Sequence, residues 1–233
     1  MISDRDKEWL RENHPKLKVD GEEVSGVIDF SAAYDHQNNN FLILEKNSLG
    51  PRGYRQLAGS FRINIRERTD KSFSRLPALQ VEDVEAILDR HFNPSDGTAC
   101  LGSPLEEDDF LIPEFRFQPF LEQLVIPFLY GQLFYSVERR WPWSEYAHGP
   151  MGLLEAYVKV TDAVKAAGCL EKLCRYEKAW PWIKYQLQRK SKIKGHTRCF
   201  CDKMDQMKRC HPRALEGIRR LREDIKVQRI VIP

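Results

Sequence analysis

The sequence lacks any long uninterrupted apolar run. Its most apolar stretch, residues 115–135, is broken by Arg116, Glu122, Gln123 and Pro127, so it reads as a buried helix rather than a membrane span. The opening residues place charges at Asp4, Arg5, Asp6, Lys7 and Glu8 where a secretory signal would have an apolar core, which points to the cytoplasm and away from the membrane. There is no glycine-rich phosphate loop, no Ser-His-Asp arrangement and no paired-aspartate metal signature, so familiar nucleotide and serine-hydrolase chemistries have no handle. Repeats and low-complexity runs are also missing. Cysteine is sparse, with six among 233 residues, at positions 100, 169, 174, 199, 201 and 210. Without a secretory signal these do not suggest a disulfide framework.

What is present suits a globular chain with one main core and an appended piece: charged residues make up 30% and hydrophobic residues 42%. The net charge is only +3, but residues 184–233 hold 15 Lys/Arg against 5 Asp/Glu, which leaves residues 1–183 at −7. A basic tail of this kind either contacts nucleic acid or an acidic protein surface, or is a solvated helical face.

Periodicity predicts a helix over residues 4–13, ended by Pro15. Strands follow at 23–34, where Val24, Gly26, Ile28 and Phe30 alternate with polar neighbours, at 41–46, and at 56–67, where Phe61, Ile63 and Ile65 face one way. A short fourth strand is expected at 77–81. Strands joined in succession favour an antiparallel meander. Beyond an acidic, loop-like stretch at 105–112, helical spacing covers 117–138 and kinks or restarts at Pro127. Gly149-Pro150 opens a helix with the apolar stripe Leu153, Tyr157, Val160 and Val164, ended by Gly168. Shorter helices are expected at 170–178 and 181–190, and a last one at 213–226. The fold class is therefore α+β, divided as residues 1–138, a helical extension 139–194 and a small module 195–233.

Between the last strand and the helices lies His91-Phe92-Asn93-Pro94-Ser95-Asp96-Gly97-Thr98-Ala99-Cys100-Leu101-Gly102. A polar, turn-rich stretch delivers one cysteine before a leucine. Together with the order of elements, this segment resembles the active-site region of ubiquitin-conjugating (UBC-like) enzymes, in particular prokaryotic ones, where a His-Pro-Asn tripeptide precedes a Gly-x-x-Cys-Leu run. The resemblance covers residues 1 to about 135 as a pattern and 91–102 as a motif. It implies that Cys100 is the nucleophile, that Asn93 supports the loop or the oxyanion of the attacked thioester, and that His91 is mainly structural. It implies partners too: an activating enzyme, a ubiquitin-like or other protein whose C-terminus is carried, and an acceptor amine, in conjugation or anti-phage operons. Phe92 stands where the family has proline, Pro94 is displaced by two positions, and Gly102 replaces a frequent aspartate. On its own residues, Cys100 is equally a small core residue at a loop–helix junction.

Cys199-x-Cys201, eight residues, then Cys210-His211 offers three sulfurs and one nitrogen, the number structural zinc takes. The intervening loop has no core of its own, and structural zinc supplies about 10–16 kcal/mol of apparent folding energy. With Lys208-Arg209 before the last pair, the spacing resembles the SEC-C motif, although Asp202-Lys203-Met204 stands where glycines are usual. The alternative is free thiols in a tail. Finally, Glu145 and His148 are either an acid–base pair or part of a packed corner around Trp141-Pro142-Trp143. Cys169 and Cys174 read as helix packing residues, and Trp180-Pro181-Trp182 as an anchor.

Overall fold

The computed structural model describes residues 2–68, 74–93, 95–160, 164–201 and 205–233. The chain is α+β, and it separates into two compact units: Met1–Gly102 with Glu107–Glu145, and Ser103–Glu106 with Tyr146–Pro233. Residues 139–145 thus go with the sheet, and residues 146–194 and 195–233 share one core.

In the first unit, α1 (Asp4–Asn13) begins with a reciprocal cap. Ser3 Oγ accepts from the Asp6 N–H at 3.1 Å, and the Asp6 carboxylate accepts from the Ser3 N–H at 3.2 Å. Then come β1 (Leu17–Asp20), β2 (Glu23–Asp35), β3 (Asn40–Ile43), β4 (Arg55–Arg66) and β5 (Ala78–Val81). They form one antiparallel sheet in the order β1-β2-β4-β5, with β3 on the same edge of β2 as β1. The β2–β4 ladder runs from Val24 opposite Ile65 to Tyr34 opposite Arg55. It turns Val24, Ile28 and Phe30 to the core with Phe61, Ile63 and Ile65, as the alternation predicts.

The sequence reading missed β1. Its signal was the Asp20-Gly21 step: Asp20 pairs with Glu23 across a two-residue turn in which Gly21 has φ 58°. The strand expected at 41–46 ends at Ile43.

The face of the sheet is covered by α2 (Asp108–Leu111), α3 (Phe117–Phe120), a π-helical turn (Leu121–Val125) and α4 (Ile126–Glu138). Pro127 stands in the first turn of α4. Proline has no N–H to give, and the π turn just before it absorbs the missing ladder bond, so the helix restarts there.

The second unit holds α5 (Gly149–Tyr157), α6 (Lys165–Cys174), α7 (Trp180–Gln188), α8 (Met207–Cys210) and α9 (Pro212–Gln228). The helix expected to run from Gly149 to Gly168 stops at Tyr157. The Val158 carbonyl at its end is taken by Arg220 Nη1 at 2.6 Å, so an α9 side chain replaces the next turn of helix. Residues 161–163 of the expected helix lie outside the described residues, and Val164 of the expected stripe is exposed. Gly168 lies inside α6 rather than ending a helix, because Ala166, Cys169, Leu170 and Leu173 carry the buried stripe past it.

Helices α5 and α9 cross in close contact at Gly217. A Cβ there would sit 1.8 Å from the Leu154 carbonyl oxygen. In an exposed helix Gly→Ala stabilises by about 1 kcal/mol. Here the sign reverses, because a backbone oxygen cannot step aside. Gly217→Ala is expected to destabilise the second unit by about 2 kcal/mol, read from the denaturant midpoint; an unchanged or raised midpoint contradicts the close crossing.

Candidate functional site

The segment from His91 to Cys100 is a tight loop pinned to the sheet edge. Phe92 and Ala99 form an antiparallel bridge. The Ala99 N–H donates to the Leu79 carbonyl of β5 at 2.8 Å, the Asn93 N–H to the Thr98 carbonyl at 2.8 Å, and the Cys100 N–H to the His91 carbonyl at 2.7 Å. Phe92 is fully buried and meets Phe128 of α4 edge-on at 5.3 Å. Gly97, with φ 67°, makes the reversal at the tip. Pro94 lies outside the described residues.

Cys100 is half-buried. Its Sγ donates to Asn93 Oδ1 at 3.4 Å, and Asn93 Nδ2 donates to Thr98 Oγ1 at 3.0 Å. The Thr98 hydroxyl in turn donates to Asp96 Oδ1 at 2.7 Å, and the Thr98 N–H reaches the same oxygen at 2.9 Å. Behind them Arg68, its side chain only 8% exposed, stands 4.0 Å from Asp96 Oδ2 and 3.5 Å from Thr98 Oγ1.

The direction of this chain fixes the asparagine. Because the Thr98 hydrogen is committed to Asp96, its oxygen must accept from the Asn93 NH2 group, so the amide oxygen faces the sulfur. In this state Asn93 supports the loop and accepts from the thiol. The donor role at an oxyanion requires the amide to turn over.

The electrostatics agree with a resting thiol. Burial pushes the Cys100 thiol above its usual range; Arg68 pulls it down in part, and Asp96 pushes it further up. Burial also opposes ionisation of Asp96, but the Thr98 hydrogen bonds and the Arg68 charge outweigh it and hold that carboxyl below the usual range.

His91 serves the loop in another way. It adopts φ 56°, a left-handed conformation that histidine takes more readily than most residues. Its Nε2 lies 2.9 Å from Glu145, and its ring meets Trp141 edge-on at 4.6 Å. Trp141 Nε1 donates to the Asp89 carbonyl at 3.1 Å. Glu145 therefore meets His91, and the Trp141–Trp143 corner packs against the first core. Cys169 is fully buried as a helix packing residue, whereas Cys174 is half-buried with its Sγ 3.0 Å from the Glu171 carbonyl.

The second cluster lies in the helical unit. Cys199 Sγ, Cys201 Sγ, Cys210 Sγ and a ring nitrogen of His211 all lie within 4.8 Å of one another. Two backbone arms bring them together. Met207 N–H donates to the Thr197 carbonyl at 3.0 Å, and Cys199 N–H to the Asp205 carbonyl at 2.7 Å. Cys210 then ends α8, and His211 is the residue before Pro212 opens α9. Residues 202–204 lie outside the described residues.

Tetrahedral zinc bonds of about 2.3 Å to sulfur and 2.0 Å to nitrogen imply ligand–ligand edges of about 3.8 Å (S–S) and 3.5 Å (S–N). The Cys201–Cys210 sulfurs are 3.9 Å apart, and Cys199 Sγ is 3.5 Å from His211 Nδ1. The donor set is compatible with a zinc ion that takes every position and leaves none open for substrate. Burial pushes the Cys199 thiol up to about 12, which disfavours the thiolate that a metal needs, and a bound cation reverses that cost.

Of the residues named from sequence, the structure brings Cys100 and Asn93 together in one loop with His91 at its start, and gathers the four cluster residues. Sequence reasoning missed Thr98, Asp96 and Arg68. The Asp96-x-Thr98 step is a readable local turn signal; Arg68 reaches the loop only through the fold. No helix among the described residues is long and apolar enough to cross a membrane. No family model matches the chain, and neither the curated proteins nor the solved structures contain a match to it.

The hydrogen-bonded chain sets a reactivity. Alkylation of Cys100 by iodoacetamide, followed by peptide mass spectrometry, is expected to be slow at neutral pH and still rising above pH 9, because the raised thiol holds little thiolate below that. Thr98→Val, which frees the Asn93 amide to turn and donate to sulfur, is expected to move the profile to lower pH and speed the neutral reaction about threefold or more. An unmoved profile contradicts the role given to Thr98.

Proposed function

We propose that the chain is a ubiquitin-conjugating-like carrier whose Cys100 holds the C-terminus of a ubiquitin-like or other protein as a thioester and passes it to an acceptor amine. The observation that carries this reading is the placement of Cys100: a half-buried sulfur closing a pinned loop at the sheet edge, within reach of the Asn93 amide. Support also comes from the order of elements, helix, antiparallel meander, cysteine loop and covering helix, which matches what the resemblance implies.

The transfer is written as follows. The Cys100 thiolate attacks the thioester carbonyl of an activating enzyme. A new S–C bond forms, the old one breaks, and the departing thiol takes up the proton that Cys100 gave up. An amine of the acceptor then attacks, a C–N bond forms, and Cys100 leaves as a thiolate that is reprotonated. No redox step is involved. A thiol of raised pKa holds little thiolate at rest, but each thiolate is the stronger nucleophile. On this reading the acyl donor, docked over the loop, completes desolvation, and the Asn93 amide turns to donate as charge develops on oxygen. His91, bound to Glu145 and Trp141, holds the loop rather than moving protons. A second reading, a non-catalytic scaffold of the same build, is favoured by the one observation that the amide oxygen, not the NH2 group, faces the resting sulfur.

We further propose that Cys199, Cys201, Cys210 and His211 hold a structural zinc ion, which when bound neutralises the thiolates and ties the 195–209 segment to the start of α9.

Two outcomes are expected. Protein recovered from its native cells under non-reducing conditions carries a mass-shifted adduct released by dithiothreitol. Cys100→Ser traps an adduct stable to dithiothreitol but cleaved by alkali, and Cys100→Ala carries none; no adduct in any of the three supports the scaffold. For the metal, one zinc per chain is expected, and strong chelation lowers the melting temperature of the helical unit. Cys210→Ser lowers affinity at least tenfold. Full folding of that unit without metal contradicts the assignment.

A further inference from the structure

The basic tail divides into two sets of charges with different tasks. Arg219, Arg220 and Arg222 of α9 are turned inward as carbonyl caps. Arg219 donates through Nε and Nη2 to the Ile193 carbonyl at 2.9 and 2.6 Å, and Arg222 through Nη1 to the Ser191 carbonyl at 2.9 Å; Arg220 holds Val158.

The Arg219 and Arg222 bonds hold the strap that runs from α7 to the cysteine cluster. Ile193 has no exposed surface. With the carbonyls of Ser191 and Ile193 tied to α9, the even positions Lys190, Lys192 and Lys194 are left on the outer side, all three exposed. No carboxylate among the described residues pairs with them. The strap continues to exposed His196. It is backed by Lys208, whose N–H donates to the Gly195 carbonyl at 2.9 Å, and by exposed Arg209.

Aromatic side chains stand in α7, just before the strap, and at Phe200 beyond it. Tyr185 of α7 is 61% exposed, with the Arg189 guanidinium 5.8 Å over its ring. Trp182 and Phe200 pair at 4.7 Å, both half-buried. Lys190, Lys192 and Lys194 set three exposed positive charges within five residues. A neutralising shell for the cysteine cluster has no need of an exposed ring such as Tyr185.

We propose that the Lys190–Lys194 strap and its flanking aromatic residues form a surface for single-stranded nucleic acid. The lysines follow the phosphate backbone, and Tyr185, with Trp182 and Phe200 beside it, offers faces on which bases stack. The surface is fixed rather than floppy, since α9 arginines set the register of the strap, so the lysines lose little further freedom on binding. This assignment does not depend on the chemistry of Cys100.

The test uses the full-length, zinc-supplemented protein and fluorescence anisotropy with three labelled probes: a 20-nucleotide oligo-dT, a 20-base-pair duplex and a polyglutamate peptide. Tightest binding to oligo-dT is expected, with affinity falling steeply as salt rises. The triple change Lys190→Gln, Lys192→Gln, Lys194→Gln is expected to weaken binding at least tenfold and to reduce the slope of log K against log salt by about 2. Tyr185→Ala is expected to weaken binding about fivefold or more with the salt slope unchanged. Binding to polyglutamate as tight as to oligo-dT, preference for the duplex, no binding to oligo-dT, or a triple variant that binds like wild type each overturns the proposal. Circular dichroism of the variants separates lost binding from lost fold.

Discussion

Phe92 has no exposed surface, and its ring is held edge-on against Phe128. The geometry of the cysteine loop depends on that burial. With Phe92 in the core, its bridge to Ala99 is fixed, Ala99 can reach the β5 edge, and Cys100 follows it out of the sheet with its N–H on the His91 carbonyl. A buried aromatic ring of this size contributes on the order of 3 kcal/mol, enough to keep a polar, glycine-containing loop in one conformation. The residue that departs from the tripeptide of conjugating enzymes is thus the one that secures the loop here. A proline would stiffen the backbone, whereas Phe92 anchors it to α4.

Around that anchor, the polar groups form an ordered sequence. Arg68 fixes Asp96, Asp96 fixes the Thr98 hydroxyl, Thr98 fixes the Asn93 amide, and Asn93 accepts from the thiol. Each step assigns a direction to the next, so the state of the cysteine is set by a half-buried arginine on a different part of the chain. Burial and the bond to Asn93 hold Cys100 as a thiol at rest. The helical unit is organised around different anchors: the α5–α9 crossing at Gly217, the carbonyl caps from α9, and the Cys199–Cys201–Cys210–His211 cluster at the start of that helix. The cysteine loop and the cysteine–histidine cluster therefore lie in separate units.

Much of this was legible in the chain itself. Alternation in residues 23–34 and 56–67 located the two long strands because one sheet face is buried and the other solvated. The cysteine–histidine spacing located the cluster because ligand identity and spacing are local. The span of α1 followed from its periodicity and from Pro15 beyond its end. What was not legible depends on distant parts of the chain. Strand β1 buries only Leu17, so its four residues leave little alternation to read. The early end of α5 is set by Arg220, 62 positions later. Glu145 faces His91 because the Trp141 corner folds back on the loop, and Arg68 reaches Asp96 across the sheet edge. The basic tail gave its charge in sequence but not its division of labour, since only the fold tells carbonyl-capping arginines from outward lysines.

The central claim is that Cys100, rather than any other accessible thiol, is built to take an acyl group. The direct measurement is thiol–thioester exchange: a ubiquitin-like protein bearing a C-terminal thioester is mixed with the zinc-loaded chain, and the acylated cysteine is mapped by peptide mass spectrometry. Cys174 is the internal control, a half-buried thiol on a helix with no asparagine relay. The account predicts acylation at Cys100 in clear excess over Cys174; equal labelling of the two, or label at Cys174 alone, contradicts it.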